Sequence, residues 1–251
     1  MCGRFALTAT PAEVEHVFGV ADCHPFPPRY NIAPTQPILM VEAGPVRPHG
    51  SNLPHRQAVL VRWGFIPSWA KNPRDLSLII NARAETAAEK PSFRAAMRHR
   101  RTLVPASGFY EWKRFSDGTS RAYWLRPTQC DLIAFGGLME TWSEPGGSEI
   151  DTGAILTTRA SADIRPIHDR MPVVIRPEDF DRWLDCRTQE PRHVADLLEP
   201  VEEGFFEAIP VSDRVNRIRN DSPDLQARVE EKRQADRRDP MAAEGQQLSL
   251  F

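Results

Sequence analysis

The large apolar residues of this chain fall into short runs of three or four, at 38–41, 58–61, 103–105, 122–125, 132–135, 154–157 and 172–175, with Gly, Pro and Asp between them. A buried helix needs roughly 10–12 residues of sustained pattern, whereas a strand needs only four to eight, so these runs read as strands. The 23 prolines point the same way, because proline fixes φ and removes a backbone donor and therefore punctuates short elements. The expected class is α+β: a curved, mostly antiparallel β core with helices at its periphery.

Three helices are expected at that periphery. Thr10-Pro11-Ala12-Glu13 carries an N-cap, a proline at the first helical position and a glutamate that closes a capping box, predicting a helix to about Phe18. Stretches 177–185 and 191–198 also open on proline and carry helical spacing. Residues 2–220 are expected to form one domain, since six tryptophans and 41% hydrophobic residues supply a core. From 221 to 251 large apolar groups become scarce and the chain is expected to be a disordered tail. Its end, Gln247-Leu248-Ser249-Leu250-Phe251, breaks that trend.

Charge separates few function classes. The tail holds 5 of the 32 Lys and Arg and 7 of the 34 Asp and Glu, leaving 27 of each in the body. A neutral body carries no argument from pI for or against nucleic acid, so such a claim must rest on placed residues. Cys2, Cys23, Cys130 and Cys186 are far apart, without the Cys-x-x-Cys spacing of metal sites, so no metal or other cofactor is expected, and a reducing, cytoplasmic location fits. No apolar run approaches the ~20 residues of a membrane span, and no signal-peptide pattern opens the chain.

Chemistry concentrates in four places. Removal of Met1 would leave Cys2 with a free α-amine beside its thiol, a 1,2-aminothiol that condenses with an aldehyde to an imine and then closes a thiazolidine ring. The amine titrates near ~8 and the thiol near ~8.5, so both have nucleophilic fractions near neutrality. Asn81 follows an apolar strand directly, Glu111 sits between aromatics where desolvation raises a carboxyl pKa, and His168 precedes a strand. Each residue also admits a structural role: Cys2 in an N-terminal strand, Asn81 in a turn, Glu111 in an ion pair, His168 as a hydrogen-bonded loop residue.

Six ordered motifs, Met1-Cys2-Gly3-Arg4-Phe5, Arg29-Tyr30-Asn31-Ile32-Ala33-Pro34, Trp63-Gly64-Phe65-Ile66-Pro67, Asn81-Ala82-Arg83-Ala84-Glu85-Thr86, Gly108-Phe109-Tyr110-Glu111-Trp112 and Ile167-His168-Asp169-Arg170-Met171-Pro172, together resemble the SOS response-associated peptidase family of abasic-site processing proteins. The resemblance covers about residues 2–220 and implies a barrel-like core. It implies that the mature N-terminal cysteine crosslinks the aldehyde of an abasic site in single-stranded DNA as a thiazolidine, by Schiff-base chemistry resembling a lyase's. The crosslink would shield the lesion during replication or repair, and peptidase activity would be limited to removing Met1. By the same resemblance Cys2 is the nucleophile, Glu111 the acid and base of ring opening and imine formation, His168 a second proton-transfer group, and Asn81 the anchor of the sugar or amine. Arg4, Asn31, Pro34, Trp69, Arg83, Thr158 and Asn216 are the implied DNA-binding residues, with Ala70 where some members carry a second aromatic. The pentapeptide resembles the motif by which bacterial repair proteins dock on the replicative sliding clamp, with Gln247 as anchor and Leu248, Leu250 and Phe251 as apolar contacts. A bacterial, nucleoid-associated monomer is implied.

Two other readings stand beside this one. An N-terminal-nucleophile hydrolase would use Cys2 on an acyl carbon but leaves Trp69 and Arg83 unexplained. A non-catalytic single-strand binding module leaves Cys2, Glu111 and His168 unexplained.

Overall fold

The computed structural model describes residues 2–51, 53–144 and 146–230. Its strands in chain order are β1 (Phe5–Leu7), β2 (Arg29–Ile32), β3 (Pro37–Ala43), β4 (Arg56–Trp63), β5 (Asn81–Arg83), β6 (Arg101–Ala106) and β7 (Gly108–Arg114). They continue as β8 (Ser120–Pro127), β9 (Ile133–Ser143), β10 (Glu149–Arg159), β11 (Arg170–Pro172), β12 (Val174–Ile175) and β13 (Phe206–Pro210). Four short helices, α1 (Pro11–Phe18), α2 (Ala84–Ala87), α3 (Arg94–His99) and α4 (Phe180–Leu184), lie around them. The class is α+β, as expected.

Strands β10, β4, β3, β6 and β9 pair in that order, and β9 pairs back onto β10, closing a five-stranded barrel. Closure leaves no free edge within the ring. The pairing is antiparallel except where β4 and β5 run parallel to β10. A second sheet, β13-β8-β7-β1-β2, is antiparallel throughout. Aromatic rings join the sheets: Phe5 stands edge-on to Trp63 at 5.2 Å and to Phe135 at 6.2 Å, and Phe109 edge-on to Phe135 at 6.0 Å. Edge-to-face pairs of this kind add about 0.5–1.5 kcal/mol each beyond their buried area, and these hold β1 and β7 against the barrel.

Two glycines make the geometry possible. At Gly153 on β10 a Cβ would stand 2.4 Å from the Met40 Cε, so a larger residue there requires that interior methionine to shift. Gly108 has φ +150°, and a Cβ there would stand 2.4 Å from the Leu125 carbonyl oxygen. It starts β7, the strand that carries Glu111.

The Thr10–Glu13 capping box forms and α1 ends on Gly19 in the left-handed conformation. Stretch 177–185 divides into a 3-10 turn (Pro177–Asp179) and α4, and Pro191–Leu198 is 3-10 rather than α-helical. Packing also continues beyond the expected boundary at 220. Tyr30 donates its N–H to the Asp221 carboxylate at 2.5 Å, Leu225 is fully buried, and the Val229 N–H reaches the Pro210 carbonyl at 2.9 Å. Gln247, Leu248, Leu250 and Phe251 lie outside the described residues. Among the described residues no helix is long and apolar enough to cross a membrane.

Candidate active site

The register between β1 and β7 brings the start of the chain to Glu111. Phe5 lies opposite Phe109 and Ala6 opposite Gly108, and the Tyr110 N–H donates to the Arg4 carbonyl at 2.9 Å. Carried on, that register sets Cys2 and Gly3 alongside Glu111 and Trp112. Side chains alternate along β7: Phe109 joins the main core, Tyr110 and Trp112 the cluster on the outer face of the second sheet. Glu111 therefore shares the barrel-facing side with Phe109 and is 3% exposed, while Cys2 is fully buried.

Asn81 opens β5, held parallel to β10 opposite Ile155, and its carboxamide Nδ2 donates to the Cys2 carbonyl at 2.9 Å. Its Oδ1 is buried with no hydrogen-bond partner among the described residues, leaving an acceptor for an incoming hydroxyl or amine. This single contact ties residue 2 to the barrel wall.

Burial sets the proton affinities here. It pushes the Glu111 carboxyl from its ordinary 4.5 up to about 7, against the opposing pull of the positive amino terminus. The Cys2 thiol is raised well above the ordinary thiol range, first by burial and then by the Glu111 charge, so it is held as S–H. Burial, followed by the amino-terminal charge, lowers His168 and favours its neutral form.

His168 lies at the end of the connection from β10 to β11, with its side chain 27% exposed. Two groups meet its Nδ1: the Arg170 N–H at 2.9 Å and the Asp169 carboxylate at 3.0 Å. The first needs Nδ1 bare and the second needs it protonated, so both cannot hold in one protonation state. The lowered pKa favours the neutral ring, and the Arg170 N–H, a directed backbone hydrogen bond, keeps Nδ1 bare, which assigns the imidazole proton to Nε2.

Arg170 is itself clamped. Its guanidinium donates to both Glu85 oxygens at 2.5 and 2.8 Å and to the Thr157 carbonyl at 2.5 Å. This fork joins α2, β10 and the histidine loop. Sequence reading assigned no role to Glu85 or Arg170; both stand in the quoted motifs, but a pairing across 85 positions leaves no local signal.

The remaining site residues divide into groups. Arg4 donates to the Asn31 Oδ1 at 2.8 Å and the Val215 carbonyl at 2.7 Å, with its guanidinium 5.9 Å from the Trp112 ring centroid. Asn31, 2% exposed, donates to the Val215, Arg217 and Asn220 carbonyls, and the Trp112 indole donates to the Asn216 Oδ1 at 2.8 Å. Arg4, Asn31 and Asn216 thus form one wall, with Asn31 inside it. Exposed Arg83 on β5 and buried Thr158 on β10 lie where β5, β10 and β11 meet. Pro34 is half-buried in the turn between β2 and β3. Trp69, 56% exposed, stands on the turn after β4, whereas Ala70 packs inward with Ile66 and Trp142.

Residues 1–218 match the family model described as SOS response associated peptidase (SRAP). Abasic site processing protein YoqW of Bacillus subtilis is 38% identical over 228 residues, 90% of this chain and 98% of that protein. YoaM of the same organism, also named an abasic site processing protein, is 37% identical over 90% of this chain and 97% of its own length. The frog protein HMCES (Xenopus tropicalis), of the same description, is 28% identical over 91% of this chain and 78% of its own. A crystal structure of a Bacteroides thetaiotaomicron protein superposes with a TM-score of 0.78 at 22% identity, covering 91% of this chain and all of that one, which supports the fold. The chain belongs to the SOS response-associated peptidase (SRAP) family.

Proposed function

We propose that the chain, once Met1 is removed, captures the ring-opened aldehyde of an abasic site in single-stranded DNA as a thiazolidine through Cys2. The observation that carries this reading is the convergence on Cys2 of the Asn81 hydrogen bond and a buried carboxyl whose pKa is raised to about 7. The relatives named for abasic site processing support the target.

With the thiol held as S–H, the amine acts first. Its lone pair attacks the C1′ aldehyde, and protonated Glu111 supplies the proton with which the carbinolamine hydroxyl leaves as water. The thiol then adds to the iminium carbon while its proton returns to the Glu111 carboxylate, which leaves a neutral ring N–H and regenerates the acid. Aldehyde and aminothiol give thiazolidine and water, with no redox change. A carboxyl near pKa 7 supplies both forms at neutral pH, which a general acid that must later serve as base requires. His168, carrying its proton on Nε2, assists opening of the sugar ring, and Asn81 orients residue 2.

Arg83 and Arg4 are assigned to phosphates flanking the lesion, with Asn31 fixing Arg4, Asn216 holding the Trp112 indole that Arg4 lies over, and Pro34 and Thr158 bordering the strand's path. Trp69 stacks on a base. Trp69→Ala is expected to weaken binding to a lesion-free oligonucleotide by about 1–3 kcal/mol, read by fluorescence anisotropy, with the crosslinking rate at saturating DNA unchanged. Unaltered affinity would remove the stacking role.

The pentapeptide ending at Phe251 is assigned to a bacterial sliding clamp. A synthetic 247–251 peptide is expected to bind the clamp in calorimetry and to lose binding on Phe251→Ala; no heat, where a known clamp ligand binds, would refute it. The capture reading is tested by incubating mature protein with an oligonucleotide carrying one abasic site. A product that survives boiling in detergent is expected, and none with the intact oligonucleotide. Equal adduct on both would overturn it.

A further inference from the structure

A cavity of about 720 Å³ opens at the end of the barrel remote from Cys2, between the 43–47 and 55–56 segments, the C-terminus of α3 and α4. The register fixes its distance from the site. Ala43 pairs with Arg56 at the cavity and Pro37 with Arg62 at the other end of the same hairpin, six steps or about 20 Å away. That other end is the site end, because Trp63 there packs on Phe5 and donates to the Ile80 carbonyl beside Asn81.

The charges around this cavity are unevenly satisfied. Its acidic residues are already engaged: Glu42 accepts from Gln57, Asp181 from Arg56, and Asp185 from the N–H groups of Arg187 and Thr188. The Arg101 guanidinium, 1% exposed, spends its donors on the carbonyls of Met97, Trp183, Asp185 and Gln189. Arg47, His55, His99 and Arg187 also line the cavity, and none of their side chains has a hydrogen-bond or ion-pair partner among the described residues. The Arg47 Nε is buried without an acceptor. The buried Arg47 Nε leaves a donor unfilled, a cost that a bound anion removes, and the exposed Arg187 adds positive charge at the same cavity. Guanidinium forks match phosphate oxygens in pairs, and the volume is that of a small-molecule site.

We propose that this cavity is a second, non-catalytic site that binds a phosphate group through Arg47 and Arg187, with His55 and His99 as further hydrogen-bonding groups. The phosphate belongs either to a free nucleotide or to a DNA strand. Neither arginine touches the crosslinking residues, so this site and the capture reaction are separable.

The test is calorimetry of the full chain with inorganic pyrophosphate, alongside the Arg47→Ala/Arg187→Ala double variant. Pyrophosphate is expected to bind the wild type and to bind the variant about tenfold or more weakly, while both form abasic-site adducts at the same rate. As a second measurement, pyrophosphate is expected to shift the Nε–Hε NMR signals of these two arginines in the wild type. Deoxyadenosine monophosphate binding more tightly than pyrophosphate assigns the phosphate to a nucleotide. Displacement of pyrophosphate by a lesion-free oligonucleotide, in the wild type only, assigns it to a strand. Absence of pyrophosphate heat and of shifts in the wild type, or equal binding by the double variant, would overturn the proposal.

Discussion

Cys2→Ala, with Met1 removed, is expected to yield no heat-stable adduct with an abasic-site oligonucleotide while binding that oligonucleotide as the wild type does. Alanine keeps the α-amine, so the variant still forms an imine; what it lacks is the sulfur that closes the ring. The imine hydrolyses on heating but is trapped by borohydride, so adduct appears on a denaturing gel only when borohydride is present. Cys2 is fully buried and its carbonyl, not its thiol, receives the Asn81 hydrogen bond. The substitution therefore leaves the anchoring of residue 2 in place, and loss of the adduct reads as chemistry. Heat-stable adduct from Cys2→Ala at wild-type yield would refute the ring-closing role.

Glu111→Gln is expected to slow adduct formation by about 10²-fold or more, the usual contribution of a general acid and base, and to make the protein more stable at neutral pH. The sign follows from the raised pKa. Between 4.5 and about 7 the unfolded chain releases a proton that the folded chain keeps, so the wild type loses stability as pH rises through that window and stays lowered above it. Glutamine has no such penalty. The variant's advantage should be near zero at pH 4 and reach at most about 3 kcal/mol above pH 7, from a shift of this size at 1.36 kcal/mol per unit. Thermal midpoints of both proteins at pH 5 and pH 8 read it. A variant that gains nothing at pH 8 relative to pH 5 would mean that Glu111 is not held protonated by burial; an unslowed rate would make it structural.

Part of this was legible in the residues. Helix α1 was, because the Thr10–Glu13 capping box is a local signal. So were strands β3, β4, β6, β8, β9 and β10, whose centres are short apolar runs between Gly, Pro and Asp. Strands β1 and β5 have only three residues each, and β7 carries a glutamate in its middle, which breaks an apolar reading because the fold buries that carboxyl. Closure of the barrel depends on β9 pairing with both β6 and β10, a relation between distant segments that no window contains. Stretch 221–229 reads as polar tail, yet Leu225 joins the outer cluster and Asp221 and Val229 tie the backbone to β2 and β13 through hydrogen bonds. In the site, residue type pointed to Cys2, Asn81, Glu111 and His168 as candidates, and the structure brings Asn81 and Glu111 to Cys2. The Asn31 network and the Glu85–Arg170 clamp were not legible, since both consist of hydrogen bonds between segments far apart in sequence.

The central claim is that one residue makes two bonds to the lesion. Intact mass spectrometry of the mature protein, incubated with an abasic-site oligonucleotide and then treated with borohydride, measures this directly. A thiazolidine predicts a single product with the mass of protein lacking Met1 plus DNA minus one water, unchanged by borohydride because no carbon–nitrogen double bond remains. A product that gains two hydrogens on reduction would be an imine through the amine alone, and would contradict the mechanism.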